Sequence, residues 1–335
     1  MPRQKTVTEQ SIQLRRSAQN PILMPTKHSW ESQAVFNCAV TVFNGRIALI
    51  YRAMGSDAIS RFGLAFSDDG YTIAERSKQP IFEPDPNSPY ETLGVEDPRI
   101  TEINGIYYML YTAASHYPAI ADVATPSASE IGAWRVRVSL AETRDFTTFT
   151  RYGVLISHID SKNAALFPKK FQGNFLVAHR VIPDIRLAVM PDLDHFLERG
   201  PILSPRQEMW DAKRVGVAAP PLETPFGWLL IYHGVAENNV YSLGLVLLDR
   251  HQPAVVLGRT IEPILTPEKP YEVHGAVKNV VFSCGAIKWH DQLLVYYGGA
   301  DHVIGVASVA YANILAWAEQ ISQQSGRMKT KSSES

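Results

Sequence analysis

Asn104-Gly105-Ile106-Tyr107-Tyr108-Met109-Leu110-Tyr111 reads as a tight turn running into an apolar strand, and the chain repeats the phrase. Asn-Gly supplies the positive φ angles of a two-residue hairpin, and aromatic and β-branched residues suit a pleated, half-buried surface. Equivalent turns fall at Asn44-Gly45, Gln172-Gly173, Phe226-Gly227 and His290-Asp291, followed by apolar strands over 46–51, 174–178, 228–232 and 292–297. Turns 54 to 68 residues apart are too widely spaced for a hairpin meander. They match one four-stranded propeller blade per repeat.

Outward from each hairpin comes a third strand, over 61–67, 135–141, 185–189, 241–248 and 303–309. A short fourth follows, marked by proline: Gln79-Pro80-Ile81-Phe82, Gly200-Pro201-Ile202-Leu203 and Glu262-Pro263-Ile264-Leu265, with Gly153-Val154-Leu155-Ile156 as a degenerate copy. Proline suits an edge strand because it has no N–H to donate to a further neighbour. One such segment, Asn20-Pro21-Ile22-Leu23, precedes the first hairpin, while the last repeat ends without one. The fold class is therefore all-β: a five-bladed β-propeller, four antiparallel strands per blade, its ring closed by the N-terminal segment. The expected organisation is an N-terminal extension over 1–19, the propeller over 20–312, and the end of a C-terminal helix with a frayed tail over 313–335. The helical pattern itself spans 311–320. The segment 115–133 has no strand period and reads as a long loop beside the second hairpin.

Composition narrows the function. Thirty-two Lys and Arg against 33 Asp and Glu leave a net charge of −1, so nucleic acid and anionic membrane are not expected partners. No apolar run reaches the roughly 20 residues of a membrane helix. Two cysteines, Cys38 and Cys284, make no disulfide framework, and the first residues show no apolar signal region; a cytoplasmic protein is expected. Motifs of serine hydrolases, P-loop proteins and zinc enzymes are missing, and no metal or cofactor is expected.

The chemistry should lie at the strand ends that a propeller gathers together. In Gly94-Val95-Glu96-Asp97-Pro98-Arg99 the two carboxylates are adjacent, so strand alternation sends one to each face. Pro98 is expected to hold Asp97 extended, with Arg99 on the same side to hold its carboxylate. A carboxylate that only fixes a blade junction would look the same. The other repeats place Asn37, Tyr51-Arg52, Lys162-Asn163, His179-Arg180, Lys213-Arg214, Tyr232-His233 and Asp301-His302 at corresponding ends. Lys162, Arg180, Lys213 and His233, from two adjacent blades, are expected to converge as an anion site suited to phosphate. Tyr117, Trp134 and Tyr241 are candidates for stacking on sugar.

The Gly94–Arg99 motif, Lys162-Asn163-Ala164-Ala165-Leu166-Phe167-Pro168, His179-Arg180 and Gly227-Trp228-Leu229-Leu230-Ile231-Tyr232-His233-Gly234 together resemble glycoside hydrolase family 130, the β-mannoside phosphorylases. The resemblance covers about residues 18 to 312 and implies a five-bladed propeller that inverts at the anomeric carbon. It implies Asp97 as catalytic acid, acting through the 3-hydroxyl of the transferred mannose. Asn37, Arg52 and Asp301 would hold that mannose, with Arg180, Lys213 and His233 on phosphate. Lys162 stands where many members carry Arg, keeping the charge and losing the fork. Inorganic phosphate would be the co-substrate, the product α-mannose 1-phosphate, and the enzyme a homo-oligomer. An inverting β-mannosidase of the same family and a non-catalytic glycan-binding propeller are the alternatives. Linkage and acceptor stay open.

Overall fold

A computed structural model describes residues 12–116 and 134–333. Strand β1 (Arg15–Arg16) precedes five antiparallel units, four of them four-stranded and the fourth in order five-stranded. The first holds β2 (Ala34–Phe43), β3 (Arg46–Met54), β4 (Ser60–Ser67) and β5 (Glu75–Arg76). The second holds β6 (Gly94–Ile103), β7 (Ile106–His116), β8 (Trp134–Thr143) and β9 (Phe149–Val154). The third comprises β10 (Lys162–Leu166), β11 (Phe175–Val181), β12 (Asp184–Met190) and β13 (Leu197–Leu203). The fourth has β14 (Arg214–Val217) and β15 (Leu222–Thr224) on one side of β16 (Gly227–Val235), then β17 (Tyr241–Leu248) and β18 (Val256–Arg259). In the fifth, β19 (Val281–Trp289), β20 (Gln292–Gly299) and β21 (Val303–Ala310) are completed by β1 on the outer side of β21. Helix α1 (Pro270–Val273) is short, and α2 (Tyr311–Ser333) ends the chain.

The hairpin turns form where Asn-Gly demands them: φ is 51° and 76° at Asn44 and Gly45, 55° and 75° at Asn104 and Gly105. Three proline-marked edges behave differently from expectation. Around Pro21, Pro80 and Pro263 each segment makes a single bridge, Leu23 to Ile304, Phe82 to Phe62 and Leu265 to Leu243. The longer pairing lies upstream, in β1, β5 and β18. In the third unit the proline-marked edge forms as expected: β13 pairs with β12 through Gly200, Pro201 and Leu203, with register shifts on the way, because an edge strand tolerates the donor that proline removes.

Five hydrophobic clusters fill the spaces between successive units: first with second, second with third, third with fourth, fourth with fifth, and fifth with first. Ile12 and Leu14 enter the fourth–fifth cluster together with Ile314, Trp317 and Ile321 of α2. The helix runs on past the periodic stretch 311–320 to Ser333. No sheet closes on itself among the described residues; units one and two join through a lone parallel bridge, Ser60 to Gly94. First strands pack on one another, β19 with β2, β2 with β6, β6 with β10 and β10 with β14. No helix among the described residues is long and apolar enough to cross a membrane. Of the long loop expected over 115–133, residues 117–133, Tyr117 included, lie outside the described residues.

Candidate active site

Three of the first strands break their ladders at the same rank. The register slips around Asn37 in β2, Asp97 in β6 and Asn163 in β10, and those residues sit at φ 49°, 50° and 55°. A bulge adds a residue to one strand and re-aims its side chain, and Asn and Asp are the non-glycine residues that best tolerate the left-handed region. Strand β19 slips likewise at Cys284. Strand β14 pairs without a slip and has Gly216 opposite His233.

These bulges overturn two expectations. Asp97 is left-handed, not extended, and the alternation that would separate it from Glu96 is lost. Arg52 therefore reaches both carboxylates, Glu96 Oε1 at 2.6 Å and Asp97 Oδ1 at 3.2 Å. Asn37 Nδ2 donates to the same Asp97 oxygen at 2.9 Å. Arg99 does not touch the Asp97 carboxylate; its Nη1 donates to the Asp97 main-chain carbonyl at 2.9 Å.

Asp97 opens on a cavity of about 240 Å³. It is lined by Asn37 and Arg52 of the first unit, Asp301 and Phe282 of the fifth, Lys162 and Arg180 of the third with Asp160 and Ser161 just before them, and Arg214 and Tyr241 of the fourth; Asp160 is already paired with Arg137. Neither the Lys162 ammonium nor the Arg180 guanidinium has a hydrogen-bond or ion-pair partner among the described residues, though Arg214 donates to the Tyr241 hydroxyl. Two unpartnered cations beside a third form a positive wall facing a carboxylate corner. Such a wall is costly unless an anion occupies it.

The electrostatics follow from this split. Burial pushes the Asp97 carboxyl up, yet Arg52, Lys162 and Arg99, with the Asn37 hydrogen bond, outweigh it and hold the group below its ordinary value. Asp301 lacks such support. Burial, opposed by Arg52 and reinforced by the charge of Asp97, pushes its carboxyl up to about 6. On the opposite wall burial, then the neighbouring Arg214, pulls Arg180 down to about 10, and burial with Arg180 lowers Lys162. At about 10 the Arg180 guanidinium remains a cation at neutral pH.

Lys213 is not in the cavity. Adjacent strand residues face opposite ways, so Lys213 turns outward and its Nζ donates to Asn239 Oδ1 at 2.8 Å, while Arg214 turns in. His233 lies fully buried behind the wall, both ring nitrogens without a partner among the described residues. Its ring centroid is 4.6 Å from Phe282 and 6.2 Å from Tyr241. Burial and the charges of Arg180, Arg99, Arg214 and Lys162 drive its pKa well down, so the imidazole is neutral. Glu96, Ser161, Arg214 and Phe282 are the residues that sequence reasoning left without a role. For Arg214 a signal existed: it shares a strand face with Gly216, the glycine that leaves room for His233.

A carboxylate and unpartnered cations share one cavity framed by five antiparallel units, an arrangement that can admit an anion. The chain belongs to glycoside hydrolase family 130: residues 13–320 match the family model described as beta-1,4-mannooligosaccharide phosphorylase. It is 42% identical over 311 residues to a 1,2-beta-oligomannan phosphorylase of Thermoanaerobacter sp. (strain X514), covering 90% of this chain and 99% of that one. A beta-1,2-mannobiose phosphorylase of the same organism is 39% identical, with 89% and 97% covered. Among solved structures, the beta-1,2-mannobiose phosphorylase of Listeria innocua in complex with beta-1,2-mannobiose superposes with a TM-score of 0.78 at 27% identity, covering 91% of this chain and 99% of that one.

Proposed function

We propose that this chain is an inverting β-mannoside phosphorylase that cleaves a β-1,2-linked manno-oligosaccharide or mannobiose with inorganic phosphate. The observation that carries this reading is the pair of unpartnered cations, Lys162 and Arg180, facing the Asp97 corner across one cavity. An inverting hydrolase needs a second carboxylate to activate water. When phosphate is itself the nucleophile, a cationic wall takes that place. Phosphate, held by Lys162, Arg180 and Arg214, attacks the anomeric carbon on the face opposite the scissile oxygen. The bond to that oxygen breaks, and the proton of Asp97 reaches it through the mannose 3-hydroxyl, giving α-mannose 1-phosphate. Asn37, Arg52 and Asp301 hold the mannose, and Tyr241 closes the cavity beside it.

Asp97 is held ionised chiefly by Arg52, then by Lys162 and Arg99. A phosphate dianion bound at Lys162 offsets that residue's share and adds a negative charge nearby, and both effects move Asp97 toward the protonated form that it must adopt to donate. Holding both reactants in one cavity supplies the orientation that the attack needs. His233 supports the wall from behind as a neutral ring, and Lys213 holds the turn before Tyr241 in place of a phosphate. The preference for β-1,2 over β-1,4 rests on the relatives at 42% and 39% identity, against a β-1,4-mannooligosaccharide phosphorylase of Ruminococcus albus at 28%.

For the fold, the cyclic order of the five inter-unit clusters and the pairing of β1 with β21 support a five-bladed propeller closed by the N-terminal strand. Two free, buried cysteines suit a reducing, phosphate-rich cytoplasm. The test is incubation with β-1,2- and β-1,4-mannobiose, with and without phosphate. Phosphate-dependent release of mannose 1-phosphate from the β-1,2 disaccharide is expected. Free mannose formed at the same rate without phosphate would refute the reading and favour the hydrolase.

A further inference from the structure

Arg99 is the buried cation that the reaction scheme leaves unused. It is 1% exposed and has no carboxylate partner among the described residues. Its donors go to carbonyl oxygens instead: Nε to Ala218 O at 2.8 Å, Nη1 to Asp97 O at 2.9 Å, and Nη2 to Val217 O at 2.8 Å and Asn163 Oδ1 at 3.4 Å. The guanidinium carbon lies 5.8 Å from the centroid of the Phe282 ring that also lines the cavity. One side chain thus holds the left-handed bulges of β6 and β10 and the end of β14, the strands that supply Asp97, Lys162 and Arg214.

A group needed only to satisfy four acceptors need not be charged. Burying a cation without a counterion costs several kcal/mol, whereas neutral donors would fill the acceptors without that penalty. The charge is useful only if something nearby wants it. We propose that Arg99 is a positioning residue with two separable tasks: its hydrogen bonds fix the bulge that presents Asp97, and its uncompensated charge strengthens phosphate binding from beneath the cavity. The charge is felt there, since it helps to depress both His233 and Arg180. Preorganised charge in a dry site needs no reorientation when the anion arrives.

The proposal rests on the phosphorylase reading, and two variants separate the tasks. Arg99→Lys keeps the charge and loses the fork that spans three strands. Its phosphate KM should stay within about threefold of the parent while kcat falls by about tenfold or more, because the Asp97 bulge loosens. Arg99→Gln removes the charge, and its phosphate KM should rise by about tenfold or more. Circular dichroism and thermal melts check that each is folded, and the Lys variant decides alone if the Gln variant is not. An unchanged kcat in Arg99→Lys, or a phosphate KM in it as high as about ten times the parent's, would overturn the proposal. So would lowered melting temperatures with unaltered kinetic constants, the mark of a merely structural residue. Phosphate-independent cleavage by the parent enzyme would instead sink the phosphorylase reading and this inference with it.

Discussion

Lys162 shows how little of a site's energetics a single residue type conveys. As one lysine before a strand it reads as a solvated charge; in the folded chain it is half-buried beside Arg180, and desolvation and that neighbour lower its pKa. Lys162→Met should therefore raise the stability of the phosphate-free protein by about 1–2 kcal/mol while abolishing stabilisation by phosphate, read as melting temperature against phosphate concentration. A variant that is less stable without phosphate would contradict this account. Asp301 titrates in the opposite sense. Its folded value of about 6 exceeds the ordinary 3.8, so its contribution to stability is complete below about pH 4 and disappears as pH rises through 6. Asp301→Asn should flatten the phosphate-free stability profile between those values, a difference on the order of 2 kcal/mol in urea unfolding. Lys213 is expected as an anion ligand from its place before a hairpin; alternation puts only one of Lys213 and Arg214 on the cavity face, and the fold chooses Arg214. Neither the phase of that alternation nor the bulges can be read from residue identity, because both depend on which partner each strand finds.

At the scale of the element, the site is a consequence of irregular strands. A regular β6 would put Glu96 and Asp97 on opposite faces and Arg52 could hold only one. The left-handed bulge breaks that constraint, and the same device recurs at Asn37 and Asn163. Strand β14 solves the problem differently. An added Cβ at Gly216 would stand 2.4 Å from the His233 ring and 3.0 Å from Asn163 Nδ2. His233 is fully enclosed and can give way only by pushing on its neighbours. Gly216→Ala should cost about 2 kcal/mol and weaken phosphate binding, as the displaced ring presses on Phe282 and Tyr241. Calorimetric phosphate titration beside a melting curve would detect both, and full parental affinity would show that His233 does not support the wall. The apolar hairpins, in contrast, form where their turns and periodicity predict, since local sterics suffice for them.

For the whole molecule, the ends of the chain matter more than their composition suggests. Arg16 of β1 reaches the buried carboxylate of Glu272 by two hydrogen bonds, at 2.7 and 2.9 Å, and thereby ties the N-terminal strand to the segment before β19. Removing one partner of a buried pair leaves the other uncompensated. Arg16→Met should lower stability by roughly 3 kcal/mol without altering either KM, because Arg16 itself does not line the cavity. A changed melting temperature together with unchanged kinetics is the expected result; altered phosphate affinity would show that the end strand communicates with the site. Ile12 and Leu14, in a stretch that reads as a polar extension, pack with the terminal helix instead. No periodicity in the first 19 residues announces this, because the apolar surface they cover belongs to strands more than 200 residues away.

By itself the sequence determined the five repeats, the hairpins and the residue types available at the strand ends, since turn chemistry and side-chain periodicity act over a few residues. Its motifs also carried the family, and Asp97, Asn37, Arg52, Arg180 and Asp301, which that resemblance singles out, line one cavity. Only the tertiary structure decided that Arg214 and not Lys213 faces the cavity, that Arg52 bridges two adjacent carboxylates, and that Arg99 grips main chain from three strands. Those outcomes depend on register slips, and on contacts between residues as far apart as Arg99 and Ala218. Burial then turned a set of ordinary charges into a carboxylate corner facing an unpaired cationic wall.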